Sequence, residues 1–254
     1  MSVAGAVFRV GASILVALLI FEGASSVFGP GLSHLVPTWF TRLSRIIKPP
    51  RSRWARHWNL NMTLAEDKDA ARKLGFAARA IAHAAERETA PAKVAALALE
   101  LMQGEAPTVV STYLPIRTEI DPRPAMHALH AAGHKICVPV IQGAGLALKF
   151  REWEPGCTLQ PGPFGAAVPV GGDWLEPQVL LCPLVAFDDE FYRLGYGGGF
   201  YDRSLERLRA MHPVKAIGLA YAGQRAVILP REATDQPMDA MLTEAGLVWR
   251  SLAK

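Results

Sequence analysis

Cysteine is scarce: Cys137, Cys157 and Cys182 are the whole complement, an odd number with no short spacing. That excludes a disulfide framework and a zinc knuckle. Cys137 and Cys182 sit in apolar runs and read as small buried hydrophobes. There is no Gly-Lys-Ser/Thr, so a Walker phosphate loop is excluded too. No internal repeat is present, and the composition, half hydrophobic and one-fifth charged over 254 residues, is that of a globular chain. An excess of one charge is also missing from most of the chain. The net charge of +4 is concentrated at the start: residues 1–65 hold seven Lys/Arg against the single acid Glu22. The remainder carries 20 basic against 22 acidic residues, a near-neutral body with no nucleic-acid footprint.

The first 62 residues differ from the rest. Gly11–Phe21 is an apolar run, extended weakly to Phe28, which nearly reaches the ~20 residues of a membrane span. Glu22 interrupts it, and a basic stretch from Arg42 to Arg56 follows. Three readings stay open: a membrane anchor, a signal-like segment, or an extension outside the working protein, with Met62 as the natural start. The last is preferred, because patterned sequence begins only after Met62. If the segment inserts, the basic side following it keeps the body on the cytoplasmic face. Membrane contact therefore depends on residues 1–30 being a real anchor. The division expected is 1–62, extension, and 63–254, a single catalytic domain.

From residue 63 the periodicities alternate. Helices are expected over 65–85, 90–103 (Pro91 in its first turn), 123–132 (ending at Gly133) and 200–211. Strands are expected over 109–114, 136–141, 147–153, 178–187, 214–221 and 247–250. The run 178–187 is apolar throughout, as in a strand buried on both faces. Strands alternating with helices define a layered α/β fold, a mainly parallel sheet flanked by helices.

The chemistry is concentrated in Phe187–Leu205, FDDEFYRLGYGGGFYDRSL. Gly195, Gly197, Gly198 and Gly199 fall between an apolar strand and a helix. Such a loop has no side chains to hold a ligand off and can aim backbone N–H groups at phosphate oxygens. The helix N-terminus that follows favours anions. Arg193 precedes the loop, where a guanidinium can clamp phosphate. Asp202 lies in the helix's first turn, where a carboxylate can hold Mg²⁺. Phe200 stands where a dinucleotide fingerprint has its third glycine, which argues against a Rossmann site.

The stretch Arg193-Leu194-Gly195-Tyr196-Gly197-Gly198-Gly199-Phe200-Tyr201-Asp202-Arg203, with Pro183-Leu184-Val185-Ala186-Phe187-Asp188 before it, resembles the signature of the 5-formyltetrahydrofolate cyclo-ligase family. Other blocks follow the same pattern in order over most of 66–243. They are Lys68-x-x-Ala71-Arg72, Tyr113-x-Pro115 with Glu119, Phe150-Arg151-x-Trp153 with Gly156, and Pro230 with Asp235. Residues 1–62 have no counterpart, and Tyr196 and Gly198 stand where some members carry basic residues. The resemblance implies an enzyme that uses ATP as co-substrate and Mg²⁺ to convert 5-formyltetrahydrofolate to 5,10-methenyltetrahydrofolate. It implies that Lys68, Arg72, Arg193 and the loop Leu194 to Tyr201 bind ATP, with Arg193 and Asp202 catalytic. Glu119, Trp153, Tyr196 and Phe200 would bind the reduced folate, and Asp202 and Asp235 the metal. A cytoplasmic monomer or small homo-oligomer, with small-molecule partners only, is expected. Without the resemblance, Lys68 and Arg72 read as one basic face of a helix, Glu119 as an exposed loop acid, and Asp235 as a turn residue beside Pro237. His127, His130 and His134 have helical metal-ligand spacing but no acidic or Cys partner nearby, and read as surface or structural histidines.

Overall fold

The computed structural model describes residues 63–251. The expectations for 1–62 therefore lie outside the described residues. Among the described residues no helix is long and apolar enough to cross a membrane.

The chain opens with α1 (Leu64–Glu86) and α2 (Ala90–Leu101). Helix α1 starts on a capping box: the Thr63 hydroxyl accepts from Glu66 N, and the Glu66 carboxylate accepts from Thr63 N. After β1 (Val109–Ser111) come α3 (Arg123–Ala131), β2 (Lys135–Val140) and β3 (Lys149–Trp153). A short hairpin of β4 (Leu159–Pro161) and β5 (Ala167–Pro169) precedes β6 (Trp174–Leu175) and β7 (Val179–Pro183). A second hairpin pairs β8 (Ala186–Phe187) with β9 (Arg193–Leu194), and α4 (Phe200–Met211) follows. The chain closes with β10 (Lys215–Leu219), β11 (Ala240–Thr243) and β12 (Gly246–Trp249).

Eight strands form one sheet in the order β12-β11-β10-β7-β1-β2-β3-β6. The five central strands, from β11 to β2, are parallel; β3, β6 and β12 join antiparallel at the edges. Pleat alternation divides the core in two. On one face Val110, Ile136, Val138, Leu181 and Ile217 pack beneath Ala90, Val94 and Ala98 of α2 and Ala125, Met126 and Leu129 of α3. On the other, Leu180, Cys182, Ala216 and Met241 meet Leu205 and Leu208 of α4. The expected layered α/β fold is the one observed.

One expected strand is divided. The run 178–187 is a single apolar stretch, but only Val179–Pro183 joins the sheet. The chain turns through Leu184 and Val185, and Ala186–Phe187 pairs with Arg193–Leu194 instead. Pro183 has no N–H for a ladder, and Leu184, Val185 and Ala186 are buried beyond the sheet's end. Burial keeps this stretch apolar whether or not it is in the sheet.

Helix α1 belongs to neither layer. It crosses against β8 and β9 and the short turn Ala222–Gln224. Gly75 permits this approach: a Cβ there would lie 2.8 Å from Val185 Cγ1 and 3.0 Å from Val185 O.

Candidate active site

Strand β1 has β2 on one side and β7 on the other, and the chain builds outward in both directions from that point. In an open α/β sheet, ligands bind outside the carboxyl ends of the strands where the order reverses. Two segments leave the sheet there: Thr112–Pro122 after β1, and Leu184–Gly199 after β7. They contain Glu119 and the glycine loop, respectively.

The β1 segment is held in shape by its own polar groups. Tyr113 Oη donates to Ile120 O at 3.0 Å, and Arg117 adopts φ = 54°. Ile116 N donates to Glu119 Oε2 at 3.0 Å, which turns the carboxylate inward. Glu119 is only 6 % exposed, so it is not the exposed loop acid that the bare sequence favours. Burial pushes its carboxyl above the usual glutamate range; the Ile116 amide, Arg79 and Tyr196 pull the other way without prevailing.

The glycine loop is anchored by Asp188. Its Oδ1 accepts from Glu190 N and Tyr192 N, and its Oδ2 from Leu229 N and Arg231 Nη2. Arg193 then donates through Nη1 to Gln236 O at 2.7 Å and through Nη2 to Asp202 Oδ1 at 2.8 Å. Gly197 (φ = 99°) and Gly199 (φ = 61°) take left-handed backbone that other residues rarely adopt, and Gly199 caps α4. A Cβ on Gly197 would come within 3.1 Å of Arg72 Nη2.

Helix α1 lays its basic face along this loop. Arg72 Nε donates to Gly195 O at 3.1 Å. One turn earlier, Lys68 Nζ meets Asp235 Oδ2 at 2.8 Å and Glu232 Oε1 at 3.1 Å. Burial works to lower the Lys68 ammonium, but its bonds to Asp235 and Glu232 outweigh burial and the net shift is upward. Gln236 N donates to Asp202 Oδ1 at 3.0 Å, so Asp202 and the residue next to Asp235 are in contact despite 33 intervening positions in the chain. Asp235 is thus not only a turn residue; it ties the last loop to α1.

Tyr196 joins the two halves. Its hydroxyl donates to Glu119 Oε1 at 3.1 Å and accepts from Arg79 Nη2 at 2.9 Å. Its ring is half-exposed and packs tilted against Phe76 of α1, centroids 5.4 Å apart. Phe200 lies in the first turn of α4 with the Arg203 guanidinium over its ring. Arg79 was not visible from the sequence, where it is one of several arginines on a helix. Only its burial, at 1 % exposure, marks it.

Two expected site residues are placed otherwise. Trp153 lies in the core beneath α2 and α3, its ring edge-on to His127 at 5.1 Å, on the sheet face opposite α4. Alternation along β3 sends Phe150 to the α4 face and Trp153 to the other. Leu194 points into a small apolar cluster with Ala186 and Leu229, and its carbonyl accepts from Val185 N. The Tyr201 hydroxyl is buried without a hydrogen-bond partner. Among the histidines, His134 is buried and its Nδ1 accepts from Thr108 N. Among the described residues no group of three His, Cys, Asp or Glu is clustered as a metal centre.

The fold is an open α/β sheet in which Tyr196 joins a glycine loop to an inward carboxylate at the switch point. The sequence profile of the 5-formyltetrahydrofolate cyclo-ligase family matches residues 65–244. The Escherichia coli (strain K12) 5-formyltetrahydrofolate cyclo-ligase is 34 % identical over 147 residues, 55 % of this chain and 79 % of that protein. The Haemophilus influenzae enzyme of the same name is 29 % identical over 170 residues, 63 % of this chain and 88 % of that one. Among solved structures, Aquifex aeolicus 5,10-methenyltetrahydrofolate synthetase superposes with a TM-score of 0.57 at 26 % identity, covering 74 % of this chain and 94 % of that one. The chain belongs to the 5-formyltetrahydrofolate cyclo-ligase family and is an enzyme of that kind.

Proposed function

We propose that this site performs the ATP-dependent closure of 5-formyltetrahydrofolate to 5,10-methenyltetrahydrofolate. The observation that carries this reading is the Tyr196 bridge, which brings a buried carboxylate and a glycine loop into direct contact. ATP places its phosphates on the amides of Gly195 to Phe200, with Lys68, Arg72 and Arg193 balancing their charge. The pyrimidine edge of the folate offers N–H donors to Glu119, and Tyr196 and Phe200 flank the ring. The formyl oxygen attacks the γ-phosphorus and ADP leaves. N10 then attacks the activated formyl carbon, its C–O bond to phosphate breaks, N10 loses its proton, and phosphate departs. Phosphoryl transfer of this kind needs alignment and charge neutralisation more than a protein nucleophile. Cys137 and Cys182 are not available as nucleophiles: both are buried, and burial pushes both thiols well up.

Mg²⁺ fits the oxygen donors at this end. A small hard cation takes one or two carboxylates beside phosphate and keeps much of its water. Both hydrogen bonds to Asp202 end on Oδ1 and both to Asp235 on Oδ2. Each carboxylate can turn its other oxygen to a cation. When bound, the ion would supply neutralisation of phosphate charge. The protein side of that task falls to Arg193, 4 % exposed at its side chain, which keeps Asp202 in place. A cytoplasmic location fits these small-molecule substrates.

The test is full-length protein mixed with 5-formyltetrahydrofolate, ATP and Mg²⁺, followed by the near-ultraviolet absorbance of the methenyl product. A rise that needs all three components is expected. No rise, with ATP still bound, would overturn the reading.

A further inference from the structure

Arg79 is an arginine on α1 with 1 % exposure, deeper than any other charged residue of the described core. Nε donates to Thr118 Oγ1 at 3.1 Å and Nη2 to the Tyr196 hydroxyl at 2.9 Å. Nη1 has no hydrogen-bond partner and no contact with solvent. It lies 3.6 Å from Glu119 Oε1, inside ion-pair range and beyond hydrogen-bond length. Its guanidinium also sits 5.3 Å from the Phe76 ring centre and 5.5 Å from that of Tyr196. An unpaired buried N–H on a charged group is costly to keep, and native proteins rarely keep one without a use.

We propose that Arg79 is a binding residue for the substrate ring, acting beside Glu119, and that the Tyr196 hydroxyl holds the ring's place until it arrives. This rests on the function proposed above. Glu119 can only accept hydrogen bonds when ionised, and Arg79 can only donate. Side by side they match an edge with N–H donors next to a carbonyl oxygen, as a 2-amino-4-oxopyrimidine presents. Glu119 takes the amino and ring N–H, and Arg79 Nη1 takes the 4-oxo oxygen. In the absence of that edge the Tyr196 hydroxyl donates to Glu119 Oε1 and accepts from Arg79 Nη2 at once, while Nη1 stays unpaired. Gly195 and Gly197 flank it, and Gly197 takes φ = 99°, backbone freedom that a side chain would restrict. Loss of one wall contact then matters for which ring is accepted, because a site built to donate to a carbonyl rejects a ring that presents N–H there.

The experiment measures equilibrium binding, by quenching of protein fluorescence, of 5-formyltetrahydrofolate and of the same folate with an amino group in place of the 4-oxo oxygen. Wild type, Arg79→Gln and Tyr196→Phe are compared in the full chain. Glutamine can donate or accept, so in Arg79→Gln the preference for the oxo ring falls about tenfold or more, while ATP affinity stays within about twofold. In Tyr196→Phe, which keeps the ring beside the substrate and removes the competing hydroxyl, folate binding tightens about threefold or more. Three results would overturn the assignment: an unchanged oxo preference in Arg79→Gln, an equal loss of ATP and folate binding in that variant, or folate binding in Tyr196→Phe that is no tighter than in wild type. Wild-type turnover of 5-formyltetrahydrofolate is the control: without it the proposed function itself fails, whereas turnover with an unchanged preference removes only the role of Arg79.

Discussion

Replacing Asp202 by asparagine separates two duties that this carboxylate combines. Asparagine keeps an oxygen at Oδ1 for Gln236 N and Arg193 Nη2, so the loop geometry survives. What disappears is the negative charge. Arg193 retains its bond to Gln236 O and the Tyr201 ring at 5.9 Å. Breaking a fully buried ion pair costs about 3–5 kcal/mol, and an exposed one about 0–1. The Asp202 side chain is 25 % exposed and the hydrogen bonds persist, so about 1–2 kcal/mol is expected. For a domain of this size that lowers Tm by roughly 2–8 °C, measurable by scanning calorimetry. Turnover should fall far more, by about 10²–10³ in kcat, the scale at which a missing transition-state charge partner is felt. The Mg²⁺ concentration for half-maximal rate should also rise. A variant with kcat/KM within about threefold of wild type and an unchanged Mg²⁺ curve would show that Asp202 only braces Arg193.

Glu119→Gln should raise the folate KM about tenfold or more with little change in the ATP KM, because two charge-assisted bonds are replaced by one acceptor and one misplaced donor; comparable effects on both would contradict its placement. Its raised carboxyl also sets a pH dependence. The folded state holds that proton more tightly than the unfolded chain does, so Glu119 contributes a stability that declines as pH rises from the ordinary glutamate range to its raised value. Folate affinity moves the opposite way, weakening as pH falls through that raised value, and a Glu119→Gln titration should lack both slopes. Gly75→Ala gains about 1 kcal/mol of helix propensity and loses about 1–3 to overpacking against Val185 O, which cannot yield. A lower Tm and a lower kcat/KM are therefore expected, and a more stable, fully active variant would refute the close approach. Alkylation of native protein should modify Cys157 alone, read by mass spectrometry, since Cys137 and Cys182 are buried.

What the sequence disclosed follows from what each signal measures. Helix α4 is read to the residue, and α2 and α3 within two, because apolar spacing and the Gly133 stop are local signals. The strand Ala240–Thr243 escaped notice: four buried residues, AMLT, carry no alternation and follow a loop rich in proline and charge. The β8–β9 hairpin was hidden inside an apolar run. In the site, glycine spacing pointed to the loop, but neither Asp188 nor Arg79 has a local signal. Their roles come from Leu229, Arg231, Thr118 and Tyr196, all distant in sequence or on other elements. The Lys68–Asp235 bond spans 167 positions, a distance at which only resemblance to a family gave any guide.

Helix α1 carries Lys68, Arg72 and Arg79 on one stiff rod. The eleven positions from Lys68 to Arg79, at a rise of about 1.5 Å each, set these cations roughly 16 Å apart. Under the proposed assignments the helix is a ruler laid along the site, with one end at the phosphates and the other at the ring. Selection by length is a consequence: a ligand pair fits when the gap between transferable phosphate and ring edge matches that graduation. Evolution can therefore change either mark by substitution, but it cannot insert a residue between them without turning the far mark about 100° off the site.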